Sequence, residues 1–180
     1  MFEDKNVVLG VTGSVAAYKA VDIASNLTQK GLTVDVVMTG AAQKFVTAMS
    51  FRSVTQRPVV TDMWELSSEF SVEHVALAER ADVVVIAPAT ANTIAKIAAG
   101  IADEMVCCTV LATRAPVIVA PAMDVGMYNN TVTQENIAKL KSRGFVIVGP
   151  AHGRLASGLV GMGRMVETEE ILAEIFRILG

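Results

Sequence analysis

The sequence predicts an α/β fold, a parallel sheet covered by helices on both faces. Three observations carry this. Strand-like and helix-like segments alternate along the 180-residue chain. The strand segments are unbroken apolar runs, such as VVVIA at 83–87 and PVIVA at 116–120, which is how strands buried on both faces read. Two of them pass straight into small, hydroxyl-bearing loops that open helices, at 13–19 (GSVAAYK) and 88–93 (PATANT).

Residues 6–12 (NVVLGVT) are the first expected strand, β-branched and uninterrupted. Helical spacing follows over 15–30, and Gly31 stops it. Residues 33–38 read as a second strand and 40–50 as a helix. From 51 to 71 the pattern loses regularity, with Pro58 and the lone Trp64. A short helix over 72–80 leads into the strand at 82–87, and 90–99 is helical up to Gly100. Residues 103–113 continue as a helical segment and 116–120 as a strand. A helix over 131–143 ends at Gly144, 145–148 is a strand, and 168–179 is an amphipathic closing helix. The stretch 149–164 is glycine-rich and without period, too long for a simple connection, and reads as a functional flap. No linker or repeat interrupts the chain, so residues 1–180 are expected to form a single domain.

Hydrophobic residues make up 52% of the chain and charged residues 18%, yet every apolar run is interrupted before it reaches the length of a membrane span. No membrane association is expected. The start, MFEDK, lacks the basic region and apolar core of a signal peptide. The apolarity is left for a buried sheet, an oligomer interface, or both. A formal charge of −3 gives no electrostatic case for nucleic acid. Cys107 and Cys108 are adjacent, which excludes an ordinary bridge between them, and no metal-ligand spacing is present. They read as small buried residues; no metal is expected, and a reducing cytoplasm is the expected location.

Ligands of open parallel sheets sit outside the carboxyl ends of the strands. Four such ends here carry small or hydroxyl residues: Gly13-Ser14, Thr39-Gly40, Thr90-Ala91-Asn92-Thr93 and Pro121-Ala122-Met123. A loop of this kind at a helix start offers unpaired N–H groups and a favourable dipole to an anion. Neither G-x-G-x-x-G spacing nor a lysine–serine phosphate loop is present. A mononucleotide such as FMN therefore suits the loops better than a dinucleotide or nucleoside triphosphate. Taken singly each loop is an ordinary helix cap; four on one edge point to a phosphorylated, planar cofactor. Histidine titrates near neutral pH, and the chain has two. His74, ahead of the strand at 82–87, reads equally as an acid–base group or a partly exposed helix residue. His152, in the glycine-rich stretch, reads as structural or solvated. The peptide 121–130 (PAMDVGMYNN) has no period and reads as a packed crossover loop in which Asp124 caps a turn.

Together these segments resemble one family, the flavin-dependent cysteine decarboxylases, and within it the 4′-phosphopantothenoylcysteine decarboxylases of coenzyme A biosynthesis. The resemblance spans the chain: 13–19, the His74 segment before Ala81-Asp82, 88–93, Gly100-Ile101-Ala102-Asp103, 121–128 and 155–165. It implies a flavodoxin-like (Rossmann-like) three-layer sandwich with FMN held at a subunit interface. It also implies a homo-oligomer, a trimer or a dodecamer of trimers, fused to or working with a phosphopantothenate–cysteine ligase. By the same resemblance Gly13, Ser14, Val15, Thr39, Thr90, Ala91, Asn92, Thr93 and Ala122 would meet FMN. His74, Asp124 and Ser157 would be catalytic, and Met123, Asp124, Met127 and Tyr128 would meet the small-molecule substrate. The implied reaction turns 4′-phospho-N-pantothenoylcysteine into 4′-phosphopantetheine. FMN oxidises the thiol carbon, which gives the departing CO₂ an electron sink, and then returns the electrons; His74 is the acid–base group around the thiol.

Two positions depart from the family's pattern. Asp124 stands where asparagine is usual in P-x-M-N-x-x-M. A carboxylate cannot donate to a substrate carboxylate as an amide does, and two carboxylates about 4 Å apart repel by roughly 4 kcal/mol at an effective dielectric near 20. Asp124 is therefore expected either to hold a proton, with a raised pKa, when substrate is bound, or to orient a neighbouring donor. Ser157 stands where a cysteine is usual on the flap, and a hydroxyl is a poorer proton donor than a thiol at neutral pH. Turnover then either halts at an enethiol or runs to completion, and the intact flap around Ser157 favours completion. Two other readings stand beside this one. A peptidyl-cysteine decarboxylase would apply the same chemistry to a precursor peptide and form a C-terminal enethiol. A non-catalytic flavin-binding regulator would ordinarily carry long acidic extensions, which these residues lack.

Overall fold

The computed structural model describes residues 4–64 and 73–180. Its centre is a six-stranded sheet in the order β3-β2-β1-β4-β5-β6. The strands are β1 (Asn6–Val11), β2 (Thr33–Met38), β3 (Val59–Val60), β4 (Val83–Ala89), β5 (Val117–Pro121) and β6 (Val146–Ile147). Every pairing in this sheet is parallel. The order is that of a doubly wound sheet, with its reversal of direction between β1 and β4.

Alternation along the strands divides the core into two layers. Val7, Leu9, Val11, Val34, Val36, Val83 and Val85 face α1 (Ala17–Gln29), α2 (Ala48–Thr55) and α8 (Thr168–Leu179). Val8, Val37, Val84, Ile86, Val117 and Val119 face α3 (Glu73–Arg80), α4 (Ala91–Ala99), α5 (Met105–Ala112) and α7 (Thr131–Ser142). This is the expected three-layer sandwich: both faces of the sheet are apolar because both are covered. Among the described residues no helix is long and apolar enough to cross a membrane.

Four segments differ from the sequence pattern. Instead of a helix over 40–50, a 3₁₀ turn covers Ala42–Lys44 and α2 starts only at Ala48. Thr39 Oγ1 accepts the Ala42 N–H at 3.1 Å and tightens that turn, while Thr47 is extended and breaks the helical run. The two-residue β3 follows Pro58 on the sheet edge, too short to leave a periodic signal. The stretch 149–164 folds as an antiparallel hairpin, β7 (Ala151–Arg154) with β8 (Val160–Arg164). Its glycines hide the alternation yet make the fold: Gly163 sits at φ +142°, and a Cβ there would run into the Met123 carbonyl. Finally, α6 (Val125–Asn129) forms where a crossover loop is expected, with Asp124 as its N-cap. Residues 65–71 of the irregular stretch, and Val72 at the expected helix start, lie outside the described residues.

Candidate functional site

At the reversal point the chain leaves β1 for α1 on one face of the sheet and leaves β4 for α4 on the other. The crevice between these two turns opens into a cavity of ≈ 890 Å³, a volume suited to a cofactor-sized ligand.

A buried hydroxyl holds the two turns together. Thr12, 1% exposed, donates to the Pro88 carbonyl at 2.6 Å and accepts the Thr90 N–H at 3.1 Å. Thr90 then caps α4, its Oγ1 accepting the Thr93 N–H at 3.2 Å. On the other side the Ser14 N–H donates to the Thr12 carbonyl, and Ser14 Oγ accepts the Ala16 N–H at 3.2 Å. Gly13 lets the β1–α1 turn pass close to the turn after β2: a Cβ would lie 2.5 Å from that of Ala41. Thr39, just after β2, accepts the Ala42 N–H and lines the cavity, with its proton still available to donate. Of the first-turn N–H groups of α1 and α4, those of Ala17, Lys19 and Thr93 are taken by Ser14, Ala16 and Thr90; helix geometry gives those of Tyr18, Ala91 and Asn92 no intrahelical acceptor. The floor is thus built of small side chains, hydroxyl groups and backbone donors, a donor set that fits a phosphate monoester.

Two of the cations that line the cavity are already committed. Lys19 lines the cavity but its ammonium pairs with Glu167 at 2.7 Å, and Arg164 reaches the same carboxylate. Lys19 above all, then Arg164, hold the Glu167 carboxyl below its usual range. Above the floor the walls turn apolar. Met123 and Ala122 lie at the end of β5, and Val15, Tyr18, Phe45 and Met127 stand half or more exposed at the rim. Polar donors at one end and an apolar slot at the other suit a planar ring carrying a phosphate.

The β7–β8 hairpin closes one side, bringing Arg154, Leu155, Ala156 and Ser157 into the wall. Its base is fixed by the Met123 N–H donating to the Gly163 carbonyl at 2.9 Å. Ser157 Oγ donates to Asp124 Oδ2 at 2.6 Å, and Gly126 N–H donates to Asp124 Oδ1 at 3.1 Å. These donors, the serine first, hold the Asp124 carboxyl below the usual carboxylate range. Two hydrogen-bond donors favour the ionised form in the protein without substrate; the raised pKa is an expectation for the substrate-bound protein.

The structure gathers Gly13, Ser14, Val15, Thr39, Thr90, Ala91, Asn92, Thr93, Ala122, Met123, Asp124, Met127 and Ser157 around this cavity. It does not bring Tyr128 or His74 to the wall. Tyr128 is not among the lining residues and packs, partly buried, on the second core layer. His74 sits partly buried in the first turn of α3, whose last residues run into β4, so it stands toward the carboxyl edge of the sheet but outside the cavity of its own chain. Sequence reading missed Thr12 and Phe45, and gave Tyr18 and Lys19, inside the 13–19 segment, no role of their own. For Lys19 the signal was available, since it shares the α1 turn with residues already singled out; for Phe45 it was not, because the turn that presents it was read as helix.

Cys107 and Cys108 are buried in α5, and burial pushes the Cys107 thiol up to about 12. Asp103, Glu104 and Cys107 do bring ligand atoms within 4.8 Å of one another, but Lys96 lies 2.9 Å from Asp103 and supplies the counter-charge itself.

Comparison with known proteins gives concordant results. The Flavoprotein family model matches residues 1–180. The coenzyme A biosynthesis bifunctional protein CoaBC of Vibrio vulnificus is 46% identical over 169 residues, covering 94% of this chain and 42% of that protein. The chain thus spans about two fifths of the length of the curated relatives it matches. A cysteine-to-serine mutant of PPC decarboxylase, solved in complex with pantothenoylaminoethenethiol, superposes with a TM-score of 0.87 at 33% identity, covering 96% of this chain and 97% of that one. The FMN-dependent cysteine decarboxylase SpaF superposes at 0.85 with 32% identity, covering 99% and 97%.

Proposed function

This chain belongs to the flavoprotein family, and from that premise we propose that it binds FMN and decarboxylates 4′-phospho-N-pantothenoylcysteine to 4′-phosphopantetheine, as one FMN-binding domain. The observation that carries the reading is the cavity between the β1–α1 and β4–α4 turns, lined by thirteen of the fifteen residues singled out from sequence for cofactor, substrate or catalysis. Similarity to CoaBC and to PPC decarboxylase supports this substrate over a precursor peptide or a purely regulatory role.

In this reading Gly13, Ser14, Val15, Thr39, Thr90, Ala91, Asn92, Thr93 and Ala122 hold FMN, the hydroxyls and first-turn N–H groups taking the phosphate. Bound FMN supplies a reversible two-electron oxidation at the thiol-bearing carbon, which gives the neighbouring carboxylate a route to leave as CO₂. The chain's own residues do the rest. Met123 and Met127 form the apolar side of the substrate site, and the hairpin excludes water above it. Asp124 and Ser157 bound the substrate from the flap side. His74 acts as the acid–base residue, and it does so in the cavity of a neighbouring copy, which requires a homo-oligomer. The apolar rim of Val15, Tyr18, Phe45 and Met127 supports such an assembly. The substrate comes from a phosphopantothenate–cysteine ligase, fused or separate, in the cytoplasm.

The test is direct. Protein reconstituted with FMN should show flavin absorbance, release CO₂ from 4′-phospho-N-pantothenoylcysteine, and give a product lighter by CO₂ alone. A product lighter by CO₂ and two hydrogens, with the flavin left reduced, would place the stop at the enethiol. Absence of CO₂ release from a flavin-loaded preparation would overturn the proposal.

A further inference from the structure

The two positions at which this chain departs from its family's pattern are in contact with each other. Asp124 and Ser157 stand 33 residues apart, on α6 and on the tip of the β7–β8 hairpin, and their oxygens are 2.6 Å apart. That distance belongs to a charge-assisted O–H···O⁻ bond. Three features make it more than a chance surface contact.

First, the carboxylate is fixed from behind. Its other oxygen accepts the Gly126 N–H as the N-cap of α6, so Asp124 cannot swing with the flap. Second, the hydrogen bonds within the tip are internal: the Leu155 N–H donates to the Leu159 carbonyl at 2.8 Å and the Gly158 N–H to the Leu155 carbonyl at 2.9 Å. They shape the tip but do not attach it to anything, whereas the Asp124 bond ties it to the body of the protein. Third, a serine hydroxyl has one proton. With that proton given to Asp124, Ser157 has only oxygen lone pairs left to offer the cavity it lines.

We propose that Asp124 is a positioning residue acting through Ser157: its carboxylate holds the flap tip over the cavity and orients the serine oxygen to accept a hydrogen bond from the substrate's thiol. The identity of that thiol rests on the function proposed above; the coupling between the two side chains does not. An asparagine at 124 would keep the cap on α6, but its amide can turn to donate to Ser157 and reverse the polarity of the pair.

The test uses FMN-loaded protein and four chains: wild type, Asp124→Asn, Ser157→Ala and the double variant. Hydrogen exchange of the amides at 155–159, measured without substrate at neutral pH, reads the attachment. Each single variant is expected to speed exchange, by up to about fivefold for an exposed charged pair, and the double variant to be no faster than Ser157→Ala alone. Binding then reads the orientation. The ratio of affinities for the thiol substrate and its S-methyl ether should favour the thiol in wild type and fall by up to about tenfold in both single variants. Exchange effects that multiply in the double variant, or a thiol preference unchanged by the substitutions, would overturn the inference. Because the exchange measurement needs no turnover, a protein that fails to decarboxylate yet shows the coupling would refute the proposed reaction and leave the pair standing.

Discussion

Thr12 shows how far the site depends on a side chain that the sequence pattern presents only as the last residue of a strand. Its hydroxyl satisfies two groups of the β4–α4 turn, the Pro88 carbonyl and the Thr90 N–H, and so sets where α4 begins. Thr12→Val keeps the shape and leaves both partners buried and unpaired. We expect it to lower stability by about 2 kcal/mol and to weaken FMN binding, whereas Thr12→Ser should restore both; thermal unfolding and flavin-fluorescence titration decide. The linkage was illegible from sequence because it joins two strand ends 78 residues apart. Asp82 makes a similar junction at the opposite edge of the sheet. The Asn6 N–H, at 2.8 Å, and then Lys5, at 3.2 Å, hold its carboxyl below the usual value of 3.8. Because the folded-state pKa is the lower one, the stabilisation is complete above the unfolded value and is lost as pH falls through the folded one. Urea midpoints of wild type and Asp82→Asn should therefore differ at pH 6, start to converge only as pH falls below the usual value of 3.8, and meet below the lower folded-state value.

Elements carried by apolar runs were legible: β1, β4 and β5 stand where their unbroken Val/Ile stretches put them, and β2 where its valines do. The short elements were not, because tertiary contacts rather than periodicity create them. The β8 strand exists because Gly161 and Gly163 allow it to lie against Val125 and Met123, where any side chain would collide. β2 carries the exception inside its own run. Asp35 is 5% exposed on the face toward α3, and its carboxylate accepts from Arg57 at 2.8 Å and from Arg80 at 2.7 Å. One acid thus fastens a central strand, the lead-in to edge strand β3, and the end of α3. A charge in an apolar strand is tolerated only with such partners. Asp35→Asn leaves each arginine a weaker acceptor and should cost about 2 kcal/mol. Its effect should be greatest on the edge, so the amides of β3 are expected to lose exchange protection more than those of β4; uniform loss across the sheet would contradict this local role.

At the scale of the whole molecule, the cavity is legible in the loops that line it, while its completion is not, since no reading of one chain says what stands opposite its open side. The rim residues Val15, Tyr18, Phe45 and Met127 are half or more exposed, which is costly for a protein working alone. His74 meanwhile lies at the correct edge of the sheet but outside the wall. Both facts are met if a second copy covers the rim and brings its own His74 to it. The consequence can be tested with two chains that are each inactive for a different reason: His74→Asn, which keeps its cavity, and Ser14→Glu, which places a carboxylate where the phosphate would bind. Co-expressed in equal amounts and purified together, they would form mixed oligomers in which roughly one site in four joins an intact cavity to an intact histidine. Activity near a quarter of wild type is then expected, against none for either chain alone. If His74 served the cavity of its own chain, no mixture could combine the two, and the mixed oligomers would stay inactive.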